Sequence, residues 1–165
     1  MNKSPEWNRL STTQQQIIEE FHSEYPVKLG ALAKRLNLIV KKATLPANIS
    51  GQIKDDNGVI TIKINAHDTK PRQRYTLAHE IAHFFLHRHL LQNGISDDVL
   101  YRSVLSNSIE AEANRLAADI IMPLNQVDHL MTKHSDKEKL ETTLEHVSQE
   151  LCVSVTALKL RLNKL

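Results

Sequence analysis

His79-Glu80-Ile81-Ala82-His83 lies in the middle of a strongly helical pattern. On a helix, residues i and i+4 sit one above the other with Cβ atoms about 5–6 Å apart. That spacing lets two imidazoles converge on one metal ion at about 2.0–2.1 Å each. Glu80 follows the first histidine and can reach a water in an open coordination position. It would act there as the base that takes the proton and passes it to a leaving amine. Leu77, Ile81, Phe84 and Phe85 cover one broad apolar face, while Thr76, His79 and His83 share the other. The five residues alone also fit two surface histidines on an amphipathic helix. A catalytic zinc site needs a third protein ligand.

His89 stands at the spacing of a third histidine, but Leu86 occupies the position where a glycine would break the helix. On a continuous helix His89 falls about 240° from His83, which rejects it. His87 lies about 6 Å further along the axis than His83, too far for joint chelation, and reads as a hydrogen-bonding or surface residue. The second helical pattern, Ser108 to about Met122, offers two carboxylates. With Glu110 at 0°, residues Ile109, Ala113, Leu116, Ala117, Ile120 and Ile121 fall between about −120° and +20°. Glu110 is thus on the edge of the buried stripe, where a carboxylate needs a positive partner. Glu112 falls near about 200°, with Asp119 and Arg115, on the expected solvent side. The expected ligands are therefore His79, His83 and Glu110, with Zn2+ as the cofactor. Manganese or iron also suits two histidines and one glutamate. Asn114, one turn after Glu110, is either a hydrogen-bond partner that orients a ligand or a polar rim residue.

Outward from this pair, Ser11 or Thr12 should cap a helix to about His22, and Leu29–Leu36 a second short one. Leu38–Lys42 alternates as a strand. Asn57-Gly58 between residues 51–54 and 59–65 predicts a hairpin. The His helix should run from about Pro71 to Leu91, and the irregular stretch 93–107 should contain a loop. Helical patterns near 137–151 and 154–162 finish the chain. The first ten residues read as a flexible terminus, and 11–165 as one metallopeptidase domain with a C-terminal helical segment over about 137–165.

The chain has 165 residues, 41% of them hydrophobic and only 4% aromatic, so its core must rest on aliphatic side chains. A net charge of +2 with interspersed signs gives no nucleic-acid footprint. One cysteine excludes an internal disulfide, and no apolar run approaches the roughly 18 residues of a membrane span. With no leader-like pattern at the start, the cytoplasm is the expected location.

Residues 72–83, followed by Glu110-Ala111-Glu112-Ala113-Asn114-Arg115-Leu116-Ala117-Ala118 and Met122-Pro123, resemble the ImmA/IrrE metallopeptidases. Ser50-Gly51, the hairpin and the stretch from Val153 to Leu162 resemble them more weakly. The resemblance implies an α+β, minimal zincin-like fold: a small antiparallel sheet packed on an active-site helix pair, with additional N- and C-terminal helices. It implies zinc on His79, His83 and Glu110, with Glu80 catalytic. It also implies a protein substrate, a helix-turn-helix transcriptional regulator of a mobile element, stress response or toxin–antitoxin system. Tyr101, Arg72, His129 and His134 are the candidates to stabilise an oxyanion. Two other readings compete. One is a zinc-binding toxin or regulatory protein without general proteolysis. The other is a DNA-binding module using Leu29–Leu36 or Leu151–Leu162 with Lys159, Arg161 and Lys164.

Overall fold

The computed structural model describes residues 2–98, 104–135 and 139–163, without the side chains of 97, 98 and 104–107. The Asn-Gly hairpin organises the sheet. β2 (Ile49–Asp56) and β3 (Val59–Asn65) pair antiparallel around Asn57 and Gly58, whose φ values of 53° and 90° suit a two-residue turn. Asp55 closes it by accepting from the Gly58 N–H. Ile60, Ile62 and Ile64 alternate inward, and Ile53 lies opposite Ile62.

The sheet is mixed, which corrects the expectation of a purely antiparallel one. Its order is β1-β3-β2-β4, and β1 (Ile39–Ala43) runs parallel to β3. The connection over 44–48 crosses one end of the sheet and leaves a space beside β1, which β3 returns to fill. The buried amide of Asn65 ties that connection down by donating to the carbonyls of Leu45, Pro46 and Ile49. β1 is left as an edge, and Lys41 and Lys42 give it the charge that discourages further pairing. β4 (Ile95–Asp98) pairs with the other edge of β2, past a bulge between Ile49 and Gly51. It falls in the irregular stretch expected to contain a loop, where no strand was foreseen.

One helix covers the sheet's inner face and carries a second. α3 (Lys70–Leu86) packs on β2 and β3, and α4 (Val104–Ile121) lies along α3. Ala78 and Ala82 on one side and Ala113 and Ala117 on the other are wholly buried, and their small size permits the close approach. α3 stops five residues short of the expected Leu91. His87 leaves the helical region (φ −125°, ψ 31°), and a 3-10 turn over Arg88–Asn93 follows, anchored by buried Leu91.

Five shorter helices complete the fold among the described residues. α1 (Thr12–Glu19) has the predicted start, a reciprocal capping box between Ser11 and Gln14, and α2 is Leu29–Arg35. α5 (Leu124–Ser135), which the sequence reading did not foresee, pairs with α6 (Leu140–Leu151), and α7 (Val155–Arg161) follows. Pro123 begins α5 rather than ending the path: its carbonyl accepts from the Val127 N–H. α6 and α7 fall where the two C-terminal helical patterns were expected, and a tight turn at Cys152 in the left-handed region (φ 53°) joins them. Lys159 and Arg161 are engaged within the protein, by Glu141 and Asp119. Lys164 lies outside the described residues. None of the described helices is long and apolar enough to cross a membrane.

The N-terminal stretch, expected to be flexible, is pinned to α4. The Ser4 N–H donates to Asp119 at 2.8 Å, Glu6 pairs with Arg115 at 2.7 Å, and Trp7 is buried beside His22. The face of α4 expected to meet solvent is therefore covered at Asp119, while Arg115 stays exposed. Asp119 is 2% exposed and holds Arg161 at 2.7 Å from the other side.

Candidate metal centre

α3 and α4 bring His79, His83 and Glu110 together. The Nε2 atoms of the two histidines are 3.0 Å apart, His79 Nε2 is 2.8 Å from Glu110 Oε2, and His83 Nε2 is 3.3 Å from Glu110 Oε1. Among the described residues this is the one group of His, Cys, Asp and Glu whose ligand atoms converge in this way. Both histidines are buried. Burial pushes the Glu110 carboxyl up, but hydrogen bonds to His79 and His83 outweigh it and hold the pKa at about 2. Glu110 is therefore anionic near neutral pH.

Asn114 settles the tautomer of His79. His79 Nδ1 is 3.0 Å from Asn114 Oδ1, and an amide oxygen only accepts. Nδ1 thus carries the proton, and a neutral ring directs the Nε2 lone pair at Glu110. Two acceptors 2.8 Å apart require a cation between them, either a proton or a metal ion. The donor set of two imidazoles and one carboxylate suits a divalent transition metal, so the residues fit the ion that the motif implies. The Tyr75 hydroxyl donates to the Asn114 backbone carbonyl at 3.3 Å and steadies this support.

Glu80 is fully buried on the side of α3 that meets β2. Its Oε1 lies where a side chain at position 51 would be: a Cβ there would stand 2.6 Å from it and 2.4 Å from Thr76 Cγ2. Only glycine leaves that space. No local signal marks Gly51, because its reason is a close approach to a distant helix.

His87 takes the hydrogen-bonding role its position allowed, and Glu112, expected on the solvent side, is drawn in with it. His87 is buried, with Nδ1 2.9 Å from His83 Nδ1 and Nε2 3.3 Å from Glu112 Oε2. Glu112 also accepts from Arg9 at 2.6 Å and is only partly exposed. His89 is exposed, so it is no ligand, although the helix does break before it. Of the oxyanion candidates, Tyr101 lies outside the described residues. Arg72 donates twice to Ser50 Oγ, His134 is held by Glu150, and His129 is exposed near Tyr25. Neither of these histidines joins the converging group. A cavity of about 930 Å³ between the N-terminal stretch, α3, α4 and α7 reaches the centre only through Tyr75 and Asn114.

A small mixed sheet under two helices, with this donor set at their crossing, defines a metallopeptidase-type architecture of minimal zincin-like form. The chain belongs to the peptidase family of the IrrE N-terminal-like domain (Peptidase_M78), whose model matches residues 39–163. None of the curated proteins matches the chain significantly.

Proposed function

We propose that the protein is a zinc-dependent endopeptidase in which His79, His83 and Glu110 hold the metal and Glu80 is the general base. The convergence of two imidazole nitrogens and a carboxylate within 3.3 Å carries this reading. Ligands about 2.0–2.1 Å from a tetrahedral zinc lie roughly 3.3 Å from one another, close to the spacing found here. A bound ion would polarise a scissile carbonyl and make a water more acidic.

The protein's own groups do the rest. Asn114 and Tyr75 orient His79, and Glu110 contributes a permanent negative charge. Glu80, fixed between β2 and α3, accepts a proton and returns it to the leaving nitrogen. Such a base contributes about 10²–10⁴-fold in rate. The proposed substrate is a helix-turn-helix transcriptional regulator in the cytoplasm, of the repressor or antitoxin kind. Family membership and the motif resemblance support that choice.

The test pairs metal analysis with cleavage of the regulator encoded beside the gene. Wild type purified without chelators should carry about one zinc per chain, and Glu110→Ala should lose most of it. Glu80→Gln should keep the metal and cut about 10²–10⁴-fold more slowly. A metal-free wild type would end the zinc reading. Cleavage by Glu80→Gln at the wild-type rate would remove Glu80 as the base.

A further inference from the structure

We infer that His87 is a positioning residue for the metal centre: it links His83 to Glu112 and Arg9 and so presents His83 Nε2 to the ion. This rests on the metal reading above. The donor and acceptor roles are fixed at the far end of the link. Arg9 only donates, and its Nη1 lies 2.6 Å from Glu112 Oε2. The same carboxylate oxygen is 3.3 Å from His87 Nε2 and only accepts, so His87 Nε2 carries a proton. In a neutral imidazole the other nitrogen is then an acceptor. His87 Nδ1 faces His83 Nδ1 at 2.9 Å, so His83 must donate there. The lone pair of His83 is left on Nε2, the atom that faces His79 and Glu110.

The break in α3 makes this possible. His87 sits at the end of the helix with φ −125° and ψ 31°, and its ring turns across His83 at a centroid distance of 5.0 Å. Both of its nitrogens face partners other than Glu110, which distinguishes it from a fourth ligand. Asn114 plays the matching part on His79 through the other histidine's Nδ1. Each imidazole thus has its own hydrogen-bond acceptor, one from α4 directly and one through His87. Arg9 belongs to the 3-10 turn Trp7–Arg9, outside the residues matched by the family model. The outermost support of the metal centre therefore comes from the N-terminal stretch.

Partners of this kind set ligand orientation, and their loss costs about 10–100-fold in metal affinity. The experiment is a competition titration of zinc against a chromophoric chelator, on the full-length metal-free chain. The variants are His87→Leu, His87→Asn, Glu112→Ala, the double variant His87→Leu/Glu112→Ala, and Glu110→Ala. Melting of each metal-free protein is recorded alongside. His87→Leu should weaken zinc binding about 10–100-fold, and Glu112→Ala about 10-fold. His87→Asn, whose Oδ1 can take the place of Nδ1, should recover most of the loss. Glu112→Ala should add nothing in the His87→Leu background, because the link is already cut.

Wild-type affinity in Glu112→Ala, or equal losses in the Leu and Asn variants at position 87, would overturn the inference. The Glu112 variant keeps the test open if His87→Leu does not fold. Glu110→Ala separates the two layers. If it binds zinc as wild type does, the metal reading itself fails. If it loses zinc while the His87 and Glu112 variants do not, only the positioning role fails.

Discussion

At Gly51 a strand backbone and a helix side chain occupy space that any Cβ would contest. Gly51→Ala should cost about 1–3 kcal/mol in urea unfolding, since Thr76 and Glu80 must both give way. Its effect on the peptidase rate should exceed its effect on stability, because one of the two displaced groups is the proposed base. A rate loss no larger than that of an equally destabilised core variant would separate Gly51 from Glu80. The convergence of His79, His83 and Glu110 was legible in the sequence because helical periodicity fixes which residues share a face. The need for Gly51 was not, since it arises from contact between segments remote in the chain. His87 lay between these cases. Its spacing placed it beside His83, but only the break in α3 shows which way its ring turns.

The helix α4 shows how far a helical wheel reaches. The apolar stripe of Ala113, Leu116, Ala117, Ile120 and Ile121 is wholly buried, as its periodicity requires. The opposite side was read as solvent-facing, because a wheel records polarity and not what covers it. Asp119 is buried there between the Ser4 N–H and Arg161. Removing one partner of a buried pair strands the other. Asp119→Ala should therefore destabilise by about 3–5 kcal/mol in chemical denaturation. An effect under about 1 kcal/mol would mean the pair is solvated as an exposed one is. α5 and β4 escaped the sequence for different reasons. Pro123 serves equally as a helix stop and a helix start, and β4 is only four residues long. The hairpin was easy, because few turns tolerate two successive positive φ values.

For the whole molecule, residues 2–10 act as a strap across α4, held at Asp119, Arg115 and Glu112. Glu6 is the charge at its centre, and its hydrogen bond with Arg115 lowers its pKa below the usual 4.5. A carboxylate with a lowered pKa in the folded state adds stability above its unfolded pKa. That stability is lost as pH falls from about 4.5 through the lower folded value. Glu6→Gln should thus be less stable than wild type near neutral pH, by about 1 kcal/mol once screening at the half-exposed Arg115 is allowed for. The gap should close as pH falls below the lowered folded value. A gap that persists in acid would assign the effect to packing of the side chain.

The strap also carries the chain's single tryptophan, with Lys3 3.6 Å above its ring and His22 beside it. Emission from this protein is therefore a local signal rather than an average over many fluorophores. Trp7 should emit in the blue while the strap is seated, and shift to the red when that segment alone lifts from α4. Compared with circular dichroism of the helices, the same sample would tell local release from global unfolding. It would do so at the end of the molecule that carries Arg9, without adding a label.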